Sequence, residues 1–212
     1  MDAFTTHHGK VVILDRANVD TDQIIPKQFL KSIKRTGFED GLFFDWRFLP
    51  DGKPNPDFEL NKPAVQGATV LITQNNFGCG SSREHAVWAL VQYGLKVIIA
   101  PKRGEVPAFA DIFYNNSVKN GLLCVTLPQE QVDEIITTAK THLPIVLEAT
   151  VDLTHQKVTI AVPNRSAKAY PFEINASVKD HLVRGLDDIG LSLQYGDAIA
   201  AFEKNHDAQM VV

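Results

Sequence analysis

The fold of this chain is decided by the stretch Asn76-Phe77-Gly78-Cys79-Gly80-Ser81-Ser82-Arg83-Glu84-His85-Ala86. An apolar, β-branched run at residues 68–73 comes just before it and predicts a buried strand. An amphipathic pattern from Ser82 to about Tyr93 predicts a helix, which Gly94 ends. Residues 97–100 are apolar again and predict the next strand. The stretch is therefore the turn between strand and helix in a βαβ unit.

The turn has the composition of an anion-binding site. A helix N-terminus presents backbone N–H groups without partners and the positive end of the helix dipole. Gly78 and Gly80 allow positive φ and a close approach of the backbone to a ligand. Arg83 is unfavourable in a first helical turn because of the dipole, whereas its guanidinium suits a carboxylate or a phosphate. We therefore expect a negatively charged ligand here.

Ser81 has two compatible interpretations. With Glu84 it has the spacing of a capping box, in which the serine contributes about 1 kcal/mol to helix stability. A hydroxyl held by helix N–H groups is also one whose deprotonated form is stabilised. The second interpretation makes Ser81 a candidate base.

The composition is that of an ordinary globular chain, with 212 residues of which 44% are hydrophobic and 22% charged. This length suits one core, and we expect a single domain over residues 1–212. A net charge of −4 and the lack of a basic run argue against nucleic acid as the partner. No apolar run is long enough to cross a membrane, and the N-terminus lacks the pattern of a signal or transit peptide. We expect a cytoplasmic protein.

The two cysteines, Cys79 and Cys124, restrict the redox and metal chemistry. They form no disulfide framework, so a reducing cytoplasm is the simplest setting. Cys124 lies in an apolar run and is expected in the core, whereas Cys79 is reactive, ligating or merely small. Two cysteines cannot by themselves hold an ordinary iron–sulfur cluster, and no Cys/His spacing fits structural zinc. We expect this chain to bind no metal.

The rest of the chain mixes helix and strand patterns. Further strands are predicted at residues 10–14, 122–125, 146–153, 157–162 and 169–173, and helices at about 108–115, 128–139, 176–184 and 197–203. Parallel and antiparallel signals together predict an α/β fold that shades into α+β. The tail from about Lys204 is expected to fray.

An irregular excursion at about residues 27–63 interrupts this order. Its aromatic residues are Phe38, Phe43, Phe44, Trp46 and Phe48. Long irregular segments are often functional, so the excursion either faces a partner or substrate, or its aromatic side chains form a satellite core. The acidic pair before it, Asp20 and Asp22, either caps a short helix or binds a basic partner.

Several common chemistries do not fit the turn. No lysine follows the second glycine as a P-loop requires, Arg83 stands where a dinucleotide-binding loop has its third glycine, and the G-x-S-x-G elbow of serine hydrolases is absent. Proton removal next to a substrate carboxylate remains, with Ser81 as the base and Arg83 as the charge clamp. A β-hydroxyl leaving group also needs a Lewis acid, which another protein would have to supply.

Residues 76–86 resemble the signature of the aconitase swivelling-domain superfamily. Residues 18–26, 45–48 and 110–114 are similar to segments of one branch, the family of 3-isopropylmalate dehydratase (isopropylmalate isomerase) small subunits. The resemblance runs from about Phe4 to Phe202. It implies a three-layer β/β/α fold.

The resemblance also implies roles for individual residues. Ser81 matches the family's catalytic base, Arg83 the ligand of a substrate carboxylate, and Ser82 a hydrogen-bond donor to substrate or oxyanion. Phe29 and Leu30 lie in the segment that reads the substrate side chain, and they suit an isopropyl group. Supporting roles are assigned to Asp22, Cys79 and Gly80.

By the same resemblance, a [4Fe-4S] cluster is carried by a separate large subunit, and the pair interconverts 2-isopropylmalate and 3-isopropylmalate through isopropylmaleate in leucine biosynthesis. Two alternatives stay open. The chain could serve a related malate-type acid, as a homoaconitase-like or citraconate/methylmalate hydro-lyase small subunit. It could also be a non-catalytic anion-binding module.

Overall fold

Seven strands form one mixed sheet in the computed structural model, which describes residues 1–31, 35–81, 84–165, 167–186 and 188–206. The strands are β1 (Thr6–Leu14), β2 (Val70–Thr73), β3 (Val97–Lys102), β4 (Leu123–Pro128), β5 (Glu148–Asp152), β6 (Lys157–Ala161) and β7 (Ala167–Pro171). Their order across the sheet is β4-β3-β2-β1-β5-β6-β7. β1 to β4 are parallel, and β5 to β7 pair antiparallel.

The helices connect these strands or follow them. The α-helices are α1 (Thr21–Ile24), α2 (Phe44–Arg47), α3 (Glu84–Tyr93), α4 (Asp111–Lys119), α5 (Gln129–Thr141), α6 (Ala176–Arg184), α7 (Asp188–Leu193) and α8 (Gly196–Asn205). Short 3₁₀ helices span Lys27–Lys31, Glu39–Gly41, Glu59–Asn61 and Pro63–Val65. No helix among the described residues is long and apolar enough to cross a membrane.

β1 joins the two halves of the sheet. Its second half pairs in parallel with β2, from Val11 with Val70 to Leu14 with Thr73. Its first half, Thr6 to Lys10, pairs antiparallel with β5. The sequence predicts β1 only from residue 10, whereas the strand starts at Thr6. Its first half is partly exposed and lacks the apolar pattern of a buried strand.

Alternating side chains of the parallel strands supply two separate cores. Val12, Leu71 and Ile98 point into a first core with α3 and much of the segment 24–60. Their neighbours Val70 and Ile99 point into a second core, which also contains residues of α5, β5, β6 and α6. The second core therefore draws on both halves of the sheet, as expected when a sheet curls over itself. The predicted α/β class with a mixed, layered sheet is confirmed.

The excursion at residues 27–63 holds much of the first core. Its described residues, 27–31 and 35–63, contain no strand longer than an isolated bridge, as the irregular pattern indicated. Phe38, Phe43 and Phe58 are nevertheless almost completely buried there. Most of the loop 50–57 is exposed. The aromatic residues that reach the interior thus extend the main core, and do not form a separate satellite.

The end of the described chain is more helical than expected. α7 was not predicted, and α8 extends to Asn205, so Lys204 is helical. Residues 207–212 lie outside the described residues.

Candidate functional site

The glycine turn lies at the edge of the sheet where the parallel strands β1, β2 and β3 end. In open α/β sheets, ligands bind outside these carboxyl ends. The N–H of Gly78 donates to the carbonyl of Val19 (2.8 Å), and the N–H of Thr21 donates to the carbonyl of Cys79 (2.8 Å). The segment after β1 is thereby hydrogen-bonded to the turn.

The segment after β3 holds the turn from the other side. The N–H of Phe77 donates to the carbonyl of Ala108, and the N–H of Ala110 donates to the carbonyl of Phe77, each at 3.0 Å. The turn therefore lies between two backbone segments that are far away in sequence. Both segments are needed to fix its shape.

Two glycines are required for this arrangement. Gly78 has φ +76°, and a Cβ there would overlap the ring of Phe113. Gly80 has φ +93°, and its Cβ would approach Thr21 Oγ1 to 3.3 Å. Residues other than glycine rarely adopt such φ values. The predicted close approach of the backbone thus serves packing against α1 and α4 as well as access to the turn.

Ser81 is exposed at the end of the turn, and Thr21 fixes its backbone. Thr21 Oγ1 donates to the Ser81 carbonyl oxygen at 3.0 Å and lies 3.5 Å from Ser81 Oγ. Thr21 is only 2% exposed, so its hydroxyl has little freedom to change partners. The side chain of Ser81 stays accessible to a ligand while its main chain is anchored.

A cavity of about 230 Å³ opens beside Ser81. It is lined by Thr21, Gly78, Gly80, Ser81, Ala110, Asp111, Ile112 and Phe113. Hydroxyl groups and glycine backbone form one side, and the start of α4 forms the other. The cavity therefore offers hydrogen-bonding groups and an apolar wall of Ala110, Ile112 and Phe113, with the carboxylate residue Asp111 among them.

Asp20 and Asp22 have different surroundings. Asp20 is the N-cap of α1 in a complete capping box: its carboxylate accepts from the N–H of Gln23 (2.8 Å), and Gln23 Oε1 accepts from the N–H of Asp20 (2.9 Å). The capping interpretation is confirmed for Asp20. Asp22 lies in the first turn of α1 and forms an exposed ion pair with Lys27 at 3.6 Å, a type of contact that contributes little to stability.

Cys79 is held as a thiol. Burial raises its pKa first, and the nearby Asp20 carboxylate raises it further, since both disfavour the thiolate. A thiolate is the reactive and ligating form of cysteine. This environment therefore favours the interpretation of Cys79 as merely a small residue, here half buried, over a reactive or ligating role. Cys124 is buried in the first core, where burial raises its pKa to about 12.

Helix α3 is tied to α4 by a polar network near its start. Glu84 Oε1 accepts from Asn120 Nδ2 (3.0 Å), and Asn120 Oδ1 accepts from Trp88 Nε1 (3.0 Å). The predicted capping box between Ser81 and Glu84 spans Ser82 and Arg83, which lie outside the described residues. It stays a prediction, as do the roles of Ser82 and Arg83.

Phe29 and Leu30 do not line the cavity beside Ser81 as the described residues form it. Both lie in the 3₁₀ helix Lys27–Lys31 and pack, half buried, against the first core. The ring centroid of Phe29 is 5.1 Å from that of Phe44. The structure thus groups Ser81 and Gly80 around one cavity, next to Cys79, and leaves Phe29 and Leu30 outside it.

Five residues that line the cavity were given no role from the sequence: Thr21, Ala110, Asp111, Ile112 and Phe113. Thr21 stands between two aspartates with a stronger functional signal, and only the pairing of residues 18–21 with the turn reveals its contact with Ser81. Asp111 and Ile112 start α4. No local pattern relates them to a turn about thirty residues earlier.

The described part of the chain contains no group of three or more His, Cys, Asp or Glu side chains that could hold a metal ion. The cavity beside Ser81 has only one such residue, Asp111. The residues present therefore do not fit an iron–sulfur cluster, which needs several thiolates.

Known proteins resemble this chain over nearly its full length. The aconitase C-terminal domain model matches residues 1–130, and the model of the C-terminal domain of the 3-isopropylmalate dehydratase small subunit matches residues 188–210. The 3-isopropylmalate dehydratase small subunit of Desulforapulum autotrophicum is 54% identical over 214 residues, which cover 99% of this chain and 98% of that protein. That of Rhodopirellula baltica is 53% identical over 205 residues, covering 96% and 98%.

A solved structure has the same fold. The crystal structure of 3-isopropylmalate dehydratase from Methanocaldococcus jannaschii aligns with a TM-score of 0.60, covering 93% of this chain and 99% of that one. Its sequence identity is 22%, so this likeness shows the fold alone.

Proposed function

The chain belongs to the family of 3-isopropylmalate dehydratase small subunits, hydro-lyase subunits of leucine biosynthesis, and we propose that it completes an active site shared with a large subunit. The observation that carries the proposal is Ser81, exposed beside a cavity at the carboxyl ends of three parallel strands. The setting we propose is the cytoplasm.

Ser81 is the base of the proposed reaction. Its hydroxyl, once deprotonated, takes the proton from the carbon next to a substrate carboxylate, and the hydroxyl on the adjacent carbon leaves to form isopropylmaleate. Hydroxide then adds to the carbon that lost the proton, and Ser81 gives its proton to the carbon that lost the hydroxyl. These two transfers complete the interconversion of 2-isopropylmalate and 3-isopropylmalate and regenerate the Ser81 alkoxide. A serine can act as a base only where its alkoxide is stabilised by preorganised donors. The proposed source of those donors is the start of α3, which follows Ser81 closely in the chain.

The substrate carboxylate is bound, in this proposal, by Arg83, with Ser82 as a further hydrogen-bond donor. A guanidinium matches a carboxylate through two parallel hydrogen bonds. Thr21 is a positioning residue in this proposal, because its hydroxyl donates to the backbone carbonyl of Ser81.

The isopropyl group has two proposed contacts. Phe29 and Leu30 are the residues that the family resemblance indicates. The apolar wall of the cavity supports a second contribution from Ile112, which is 52% exposed next to Ser81. Substituting Phe29 and Leu30 in one variant and Ile112 in another distinguishes the two contacts. Only substitution of residues that touch the substrate should change the enzyme's preference among alkyl groups of different length.

The large subunit is proposed to carry the [4Fe-4S] cluster, because the described residues of this chain do not fit one. When bound, that cluster supplies the Lewis acid for the departing hydroxyl. The residues of this chain bind and orient the acid and move the proton. The chain alone should therefore be inactive.

Reconstitution tests the proposal. The purified chain is mixed anaerobically with a cluster-loaded large subunit, and isopropylmaleate is followed by its absorbance with 3-isopropylmalate as substrate. Activity that needs both chains supports the proposal. If activity appears only with citraconate-type or homoaconitate-type acids, the proposed substrate is wrong and one of those acids takes its place. If the complex forms but acts on no malate-type acid, the proposed function is refuted.

A further inference from the structure

The two C-terminal helices carry large apolar side chains that the other described residues leave in solvent. These side chains, together called the C-terminal apolar surface, are Ile189 (69% exposed), Leu193 (70%), Tyr195 (68%), Ile199 (43%) and Phe202 (60%). None of the five belongs to either core. An exposed apolar residue is ordinary by itself, whereas five within fourteen positions need an explanation.

Their spacing gives each helix an apolar face. Ile189 and Leu193 are four residues apart on α7, and Ile199 lies four residues after Tyr195 and three before Phe202. Residues at these intervals share one side of a helix. Every described side chain from residue 192 to 204 is exposed, so α8 buries neither face against the part of the chain that the structure describes. Because the apolar face of α8 has no core to pack on in the described chain, we infer that another molecule covers it.

The area of the surface is that of an interface. The five exposed fractions correspond to roughly 600 Å² of mainly apolar area, taking about 200 Å² for each full side chain. Apolar patches on monomers seldom exceed this size without a function. A standard interface buries about 800 Å² on each partner, a little over half of it apolar. A ten-residue helix such as α8 is also marginal in water unless something packs on it.

A second copy of this chain and a large subunit are the two candidate occupants, and charge and family membership decide between them. Residues 188–206 contain three acidic side chains and one basic one, so two copies meeting through this surface would bring like charges together. The same segment lies in the region, residues 188–210, that matches the C-terminal domain model of the small-subunit family, whereas the aconitase model covers residues 1–130. The helices thus belong to the part of the sequence that typifies a separate small subunit.

We propose that the C-terminal apolar surface docks into an apolar groove with a basic rim on the large subunit. This inference rests on the proposed function, since it requires that a large subunit exists. Docking there adds binding energy outside the active site and orders α7 and α8. Its loss should therefore weaken assembly and leave the chemistry of the assembled enzyme intact.

The test compares a double variant with a matched control. Leu193→Ser and Phe202→Ser together remove one apolar side chain of the surface from each helix, exposed by 70% and 60%. Leu143→Ser is the control, because Leu143 is equally exposed at 70% but lies between α5 and β5. Both variants should fold, since none of these side chains is in a core, and thermal melting of the isolated chains checks this. Titration with the full-length large subunit gives the Kd, and activity is measured against its concentration.

We expect the double variant to raise the Kd at least about 100-fold, as for two buried anchors at an interface, and the control to bind like the wild type. The kcat at saturating large subunit should be unchanged. An unchanged Kd in the double variant would overturn the inference, and so would a sedimentation result in which the wild type is a dimer and the variant a monomer. If instead the double variant binds the large subunit at least about 100-fold more weakly than the wild type, yet no isopropylmaleate forms, the proposed function fails while the docking inference stands.

Discussion

Replacing Thr21 by valine should reduce turnover far more than it reduces stability. Valine keeps the shape of threonine but cannot donate to the Ser81 carbonyl, now bonded at 3.0 Å. One such hydrogen bond contributes about 1 kcal/mol. Since Ser81 is exposed, water can satisfy its carbonyl in the variant, and the loss should stay near this value. For a chain of this size the melting temperature falls by about 2–4 °C.

The effect on catalysis is larger because the backbone that positions Ser81 Oγ loses its hydrogen bond from Thr21. A shift of about 1 Å in a reacting group can reduce the rate about 100-fold. We therefore expect kcat of the reconstituted enzyme to fall about 10- to 100-fold with KM little changed, and Thr21→Ser to restore most of it. The pH profile of kcat should also change in Thr21→Val, because the environment of Ser81, the proposed base, changes.

Thr73→Val is the matched control. Thr73 is also buried, and its Oγ1 donates to the carbonyl of Arg16 at the same distance of 3.0 Å, but it does not line the cavity beside Ser81. Its stability should fall by a similar amount and its kcat should not. Equal kcat values for Thr21→Val and Thr73→Val would refute the positioning argument.

Three further outcomes follow from the turn. Ser81→Ala should abolish activity in the reconstituted enzyme while changing the free energy of unfolding by about 1 kcal/mol or less, and an active Ser81→Ala enzyme would leave only a capping role. Gly78→Ala should destabilise the fold by about 3 kcal/mol, because it combines positive φ with overlap at an aromatic ring. Gly104→Ala, at φ +57° with open space around it, should cost only about 1–2 kcal/mol in the same denaturant titration. The pH midpoint for alkylation of Cys79 should lie above that of a free thiol, because the pKa of Cys79 is raised. Asp20→Asn, which can still cap α1, should lower this midpoint. A midpoint that does not move would exclude the Asp20 carboxylate as a cause of the raised pKa.

The sequence alone was sufficient for the βαβ unit around the turn and for the family. The strands at 68–73 and 97–100 and the helix ending at Tyr93 lie where the apolar periods placed them, within two residues at each described end. α6 lies at residues 176–184, as predicted. Local signals were strong at these places because a buried strand and an amphipathic helix each have a period that few other structures share.

Local signals failed where an element is stabilised by distant neighbours. The first half of β1 is a strand because β5, more than a hundred residues later, pairs with it. The aromatic residues Phe38, Phe43 and Phe58 enter the main core although their own segment has no regular period. α7 and α8 have a clear apolar face, yet only the structure shows that nothing in the described chain covers it.

The residue types proposed to act at the site come from the sequence: the glycines, the serine and the arginine of residues 78–83 can be recognised from their order alone. Its shape was decided by tertiary structure. Thr21 and the start of α4 meet Ser81 only because parallel strands bring their carboxyl ends to one edge of the sheet. Residue types along the chain determine which reactions a turn can support, whereas the groups that orient Ser81 come from segments that only the folded sheet places next to it.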